Sequence, residues 1–172
     1  WAGINILQFS LSLVSDSAYL FNVEALSGET GLPLSTGGMT FPYHFENIDT
    51  EISDSTWLFS EAVIAGSVNL TSGGTASSPV VIRVDGQVVN PTITHVETGN
   101  VFRVNGTIGV GHNIIFDGNT KQILLDGSNP AQGMITRRQW AEAQPGTNTW
   151  QFAADEYSET AQITVSFREA FI

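Results

Sequence analysis

The chain has no cysteine, so neither a disulfide framework nor thiolate chemistry is open to it, and its redox compartment is left undecided. Basic residues are scarce. Six Lys and Arg stand against 17 Asp and Glu, for a net charge of −11. None of the six precedes Arg83, whereas residues 1–82 carry eight acids: Asp16, Glu24, Glu29, Glu46, Asp49, Glu51, Asp54 and Glu61. Such a surface repels phosphate backbones, which argues against nucleic acid as a partner. No apolar run reaches the roughly 18 residues of a membrane-crossing helix, so no membrane insertion is expected. Residues 4–14 come closest to a signal-peptide core, but they lack a basic flank and are interrupted by Asn5, Gln8, Ser10 and Ser12. A convincing helical period is also missing, apart from one candidate turn at 141–144.

What is present is a folded composition, 41% hydrophobic and 13% charged. The length suits one domain, or one domain and a fragment, and lets roughly 70% of the unfolded surface be buried. The chain opens on Trp1 rather than Met and is expected to be a processed or partial one.

Period-two alternation organises the last quarter. After the turn signal Pro145-Gly146, Trp150 and Phe152 point one way, with Thr149 and Gln151 the other. Beyond a polar break, Ile163, Val165 and Phe167 alternate with Gln162, Thr164, Ser166 and Arg168. The five apolar residues are predicted core. From Pro79 on, strands are predicted at 80–84, 88–96, 101–104, 113–116, 122–125, 134–140, 150–154 and 162–169. They are punctuated by Asp85-Gly86, Thr98-Gly99-Asn100, Asp117-Gly118-Asn119 and Asp126-Gly127-Ser128-Asn129-Pro130, the residues of tight turns.

Upstream the pattern is looser. Residues 4–14 alternate from Leu7 on, with Leu7, Phe9, Leu11 and Leu13 on one face, and predict a long half-buried strand that Ser15-Asp16-Ser17 breaks. This strand is expected to pair with an upstream domain or a neighbouring subunit, because a bare apolar edge is a hazard. Residues 27–39, rich in Gly, Ser and Thr, are expected to be an irregular connection. Residues 40–45 suit an edge strand because of Pro42, residues 47–55 an acidic loop, residues 60–70 a further strand and residues 71–78 a flexible loop. Short strands at 8–12-residue spacing predict an all-β, antiparallel β-sandwich of jelly-roll kind.

The order of motifs resembles that of siphovirus-type tail components, the distal or minor tail proteins of long-tailed actinobacterial phages. The resemblance is carried by Leu32-Pro33, by Gly37-Gly38-Met39-Thr40-Phe41-Pro42, by Ser78-Pro79-Val80-Val81-Ile82-Arg83-Val84-Asp85-Gly86 and by Val89-Asn90-Pro91. It continues in Gln122-Ile123-Leu124-Leu125-Asp126-Gly127, in Trp140 with Pro145-Gly146-Thr147-Asn148-Thr149, and in Phe167-Arg168-Glu169-Ala170-Phe171. The family's segment near the end of its ring domain survives only as an acid and a Tyr, Asp16 and Tyr19. The resemblance implies a galectin-like or carbohydrate-module-like sandwich over 39–172, preceded over 1–38 by the end of a ring-type β domain and a linker. It implies a structural virion protein of the tail tip or baseplate, assembled in the bacterial cytoplasm. Such a protein joins the tail tube to the host-recognition apparatus by subunit contacts, without catalysis or cofactor. Expected partners are other tail proteins (tube, hub or fibre) and further copies of the chain in a ring or trimer. The alternative is a carbohydrate-binding module for host cell-wall polysaccharide.

Candidate chemistry is thin. His44, His95 and His112 are far apart in sequence and fit no catalytic or metal spacing; surface or core positions explain them better. Asp117, Asp126, Asp155 and Glu156 could in principle face each other as glycosidase carboxylates, but Asp117 and Asp126 precede Gly and read as turn formers. The same two turns lack the spacing of a calcium loop. No catalytic, cofactor or metal residue is assigned. Trp57 and Trp140 are the candidate carbohydrate contacts, as aromatic faces beside polar residues, while Trp150 is in phase with the core. Asn69-Leu70-Thr71 and Asn105-Gly106-Thr107 match a glycosylation pattern that is incidental in a bacterial virus.

Overall fold

The structure, a computed structural model, describes residues 18–32 and 66–172. Numbered along the chain, its strands are β1 (Leu20–Gly31), β2 (Gly66–Ser72), β3 (Ser78–Asp85), β4 (Val88–Val89), β5 (Thr92–His95), β6 (Asn100–Val104), β7 (Thr107–Ile108) and β8 (Asn113–Asp117). They continue as β9 (Gln122–Leu125), β10 (Asn129–Pro130), β11 (Ile135–Arg138), β12 (Glu142–Ala143), β13 (Gly146–Ala153), β14 (Glu156–Tyr157) and β15 (Gln162–Phe171), with a 3-10 turn at Gln132–Met134. The larger sheet has the order β1-β15-β3-β8-β9-β10, with β12 added at the start of β3. The second sheet has the order β11-β6-β5-β13-β2, and β14-β4-β7 form a small third one. Every pairing is antiparallel.

The two main sheets close on one core, as the alternation predicts. The larger sheet contributes Val80, Ile82 and Val84, Ile114 and Phe116, Ile123, and Ile163, Val165 and Phe167. Facing them are Val68, Ile93, Phe102, Val104, Trp150 and Phe152 of the second sheet. The Phe102 and Phe116 rings meet across the interface with centroids 4.7 Å apart. Each large apolar side chain buried in this way contributes roughly 1.5–3 kcal/mol relative to exposure. The molecule is therefore an all-β antiparallel sandwich, and all five core residues predicted in the last quarter are buried.

Several local expectations are corrected. The expected irregular connection at 27–39 is strand through Gly31, because β1 runs over Leu20–Gly31 and pairs with the closing strand β15. Its alternation is masked by a register shift between Phe21 and Ala25. Gly28 is needed there: a Cβ would press into the Val68 and Leu70 side chains of β2. This strand, which the expected boundary near residue 38 assigns to a preceding domain, is hydrogen-bonded into the sandwich. The strand expected at 88–96 is split into β4 and β5, because Pro91 has no N–H to donate and Asn90 adopts φ 50°. The candidate helical turn at 141–144 is instead β12, paired with Pro79 and Ser78 of β3, with Ala141 and Ala143 in the core. The strand expected from residue 134 begins as the 3-10 turn and only then becomes β11.

Three of the four predicted turns are hairpins. They link β5 to β6, β8 to β9 and β9 to β10. Asp85-Gly86 is different: it takes β3 out of the larger sheet toward β4. Gly86 has φ 100°, and a Cβ would overlap the Thr160 carbonyl, so only glycine fits. The predicted strand at 4–14, the edge segment at 40–45 and the acidic loop at 47–55 lie outside the described residues, as do residues 60–65 of the strand predicted at 60–70.

Candidate functional site

The Pro145-Gly146 turn is held by a buried polar cluster at the head of β13. Gly146 takes φ 91°, as a turn glycine should. Asn148, fully buried, accepts the Gln144 N–H on Oδ1 at 2.6 Å. Its Nδ2 donates to the Gln144 and Gly146 carbonyls at 2.8 and 3.0 Å. His95 of β5 is also fully buried. Its Nε2 lies 3.2 Å from Asn148 Oδ1 and 3.1 Å from Glu97 Oε2. Both neighbours are acceptors, so Nε2 carries the proton, and the Thr98 hydroxyl donates to Nδ1 at 2.8 Å. Burial lowers the His95 pKa, opposed by Glu97 and by the Asn148 hydrogen bond, and the ring is neutral. It stacks on Trp150 with centroids 4.3 Å apart. Glu97 accepts the Thr149 N–H at 2.9 Å; partial burial raises its pKa, but the hydrogen bonds it accepts outweigh this and hold it low. This network fixes a turn between two strands. His95 and Asn148 are buried, and their polar atoms are spent on one another, on Glu97 and Thr98, and on the turn backbone.

The other Asp candidates also have structural partners. Asp117 Oδ1 accepts the Asn119 N–H at 2.8 Å and its Oδ2 accepts the Thr120 hydroxyl at 2.8 Å, which builds the β8–β9 turn. Partial burial raises its pKa, but these bonds bring it below the ordinary carboxylate value. Asp126 accepts the Asn113 N–H at 3.0 Å and pairs with His112 Nδ1 at 2.8 Å, and the first of these bonds chiefly lowers its pKa. Asp155 accepts from Asn90 Nδ2 at 2.8 Å, and Glu156 lies exposed on β14. Among the described residues no cluster of three or more His, Asp or Glu could hold a metal ion. His44 and Trp57 lie outside the described residues.

Trp140 is half-buried at the rim of the second sheet. Its ring stands edge-on to Phe102 at 5.1 Å, and Lys121 Nζ lies 5.3 Å from its centroid. A sugar stacking on this ring would compete with the Lys121 cation. The concavity that sequence reasoning missed is elsewhere, on the outer face of the larger sheet. It measures about 440 Å³ and is lined by Phe21 and Ala25 of β1, Pro79 and Val81 of β3, Ser166 and Arg168 of β15, and Asn119. These come from four separate stretches, and only the fold brings them together. Beside it, Leu20, Phe21 and Val23 of β1 are exposed.

Comparison with known proteins came to one family. The sequence model for the siphovirus-type tail component, C-terminal domain, matches residues 73–171. Among solved structures, the chain is similar to the Dit (gp 19.1) protein of phage SPP1, described as a paradigm of the hub adsorption apparatus in phages that infect Gram-positive bacteria. That likeness has 12% identity and a TM-score of 0.47, and covers 63% of this chain and 47% of the other, so the chain spans less than half of that protein. No curated protein matches the chain.

Proposed function

This chain belongs to the siphovirus-type tail component family and is a structural part of a phage tail; on that premise we propose that it sits at the tail tip and joins the tail tube to the host-recognition apparatus. It does so by subunit contacts and catalyses no reaction. The observation that carries this reading is the family match over residues 73–171, which takes in every strand from β3 to β15. The site chemistry agrees with it. His95, Asp117 and Asp126, the titratable groups with partners nearest to a catalytic pattern, are each engaged in holding a turn. The partners are other tail proteins and further copies of this chain in a closed ring, the arrangement a tube end favours.

Interrupting the corresponding gene in its phage tests the proposal. Particles should accumulate with tails that lack a tip and do not adsorb, and supplying the chain in trans should restore them. Complete tails with normal adsorption would overturn it.

A further inference from the structure

Basic side chains are few, and the fold gathers three of the six at one side of the sandwich. Arg83 is held by Asp85 at 2.6 Å and Lys121 by Glu142 at 3.9 Å. Of the other four, Arg103 of β6 and Arg137 and Arg138 of β11 are exposed on neighbouring strands. Arg137 stands directly opposite Arg103, and Arg138, the next residue along, stands opposite Phe102. Like charges facing each other across a strand pair oppose the pairing. No acid lies on β5, β6 or β11 to offset them, and among the described residues none of the three makes an ion pair. Arg137 Nε donates to Gln139 Oε1 at 3.0 Å, which leaves its charge unneutralised.

The opposite side carries the opposite sign. Glu24 and Glu29 of β1 are exposed, β1 and β2 hold no base, and among the described residues neither carboxylate makes an ion pair. This includes Arg168 of β15, which stands opposite Ala25. β1 lies on the β2 side of the sandwich, since Gly28 packs against Val68 and Leu70 of β2. In the second sheet β2 and β11 are the two ends of the order β11-β6-β5-β13-β2. Four strand spacings of about 4.8 Å, roughly 19 Å in all, separate them. An arginine and a glutamate side chain together do not reach so far, so the two sets cannot meet within one copy.

We propose that these two sides are the halves of a contact between neighbouring copies, in which the arginines of β6 and β11 on one chain take Glu24 and Glu29 of the next. This rests on the closed ring proposed above. Copies that each carry a net charge of −11 repel one another, and a ring of them needs a place where unlike signs meet. A two-fold contact through either side would set arginine on arginine or carboxylate on carboxylate. A head-to-tail contact joins unlike patches instead, and it closes into a ring when its rotation allows. Exposed pairs of this kind select the partner surface and its register more than they add affinity.

Carbodiimide coupling in intact particles tests this. In phage carrying Arg103→Lys, Arg137→Lys and Arg138→Lys the positive charge is kept, and each new amine can condense with a touching carboxylate to an amide, with loss of water. Peptide mapping should join a segment containing position 103, 137 or 138 to one containing Glu24 or Glu29, in bands of two or more chain masses. Adding Glu24→Gln and Glu29→Gln should abolish the link. No link, a link to other carboxylates or a link to a different tail protein overturns the contact. If the chain is nonetheless at the tail tip, the functional reading stands without this contact, whereas absence of the chain from the particle overturns both. Should the lysine particles not form, charge reversal decides. Arg137→Glu with Arg138→Glu should abolish infectivity, and Glu24→Lys with Glu29→Lys in the same chain should restore it. Unchanged infectivity in the first, or no recovery in the second, overturns the proposal.

Discussion

Replacing Asn148 with alanine should unfasten the turn that leads into β13, an inner strand of the second sheet. The side chain makes three bonds to the turn backbone: from the Gln144 N–H, and to the Gln144 and Gly146 carbonyls. It also accepts from His95 Nε2. The losses are unequal. Gly146 is exposed and its carbonyl can take water instead, while His95 keeps Glu97 as an acceptor. Gln144 is half-buried, and both of its main-chain groups lose their partner. At roughly 1 kcal/mol per lost bond and about 1–3 kcal/mol per group left unsatisfied, the expected cost is about 2–4 kcal/mol. For a chain of this size that lowers Tm by roughly 5–15 °C. Urea titration followed by tryptophan fluorescence measures it, with Trp150 beside the cluster as reporter. Asn148→Asp should lose at least as much, because it sets a carboxylate against two carbonyls and beside Glu97. A change below about 0.5 kcal/mol for Asn148→Ala, the range of ordinary surface substitutions, would refute the reasoning.

Other expectations follow from the same contacts. His95 has a folded-state pKa below its ordinary 6.5, so the unfolded chain binds the extra proton first; its contribution is complete above about pH 6.5 and is lost as pH falls below that. Glu97, Asp117 and Asp126 are also depressed and add a second loss below about pH 4.5, so a stability profile should fall in two stages, with His95→Gln removing the upper one. Gly86→Ala should cost about 2 kcal/mol or more from the left-handed backbone and the Thr160 carbonyl, whereas Gly99→Ala, with open space around it, should cost only about 1 kcal/mol in the same denaturation assay. Trp140→Ala should destabilise by about 1–2 kcal/mol through lost packing on Phe102. In calorimetric titration with host cell-wall polysaccharide the structural role predicts no binding at millimolar ligand; binding that disappears in Trp140→Ala would point to a sugar contact instead.

The sandwich was legible because its strands carry one-sided alternation. Ile163, Val165 and Phe167 in β15, and Trp150 and Phe152 in β13, needed no more than period two to be placed in the core. The hairpins at Gly99, Asp117 and Asp126 were legible from turn chemistry, since Gly99 and Asp126 hold positive φ and Asp117 caps its own turn. β1 was hidden for the opposite reason. Its register shift breaks the alternation, its two glycines imitate a linker, and its exposed half has no core face to read. The role of Asn148 was also invisible, because a buried Asn and a turn Asn look alike until His95 and Gln144 are brought to it by the fold. The outer-face cavity joins residues more than 140 positions apart, from Phe21 to Arg168, and no short-range pattern announces it.

The central claim concerns place and role in the particle. The most direct measurement is an electron-microscopic reconstruction of the intact virion tail, with the two-sheet sandwich fitted to the density. The account predicts this chain in a closed ring of identical copies at the end of the tail tube, touching both the tube and the host-recognition apparatus. Density for the chain along the tube, on the capsid or nowhere in the particle would contradict it.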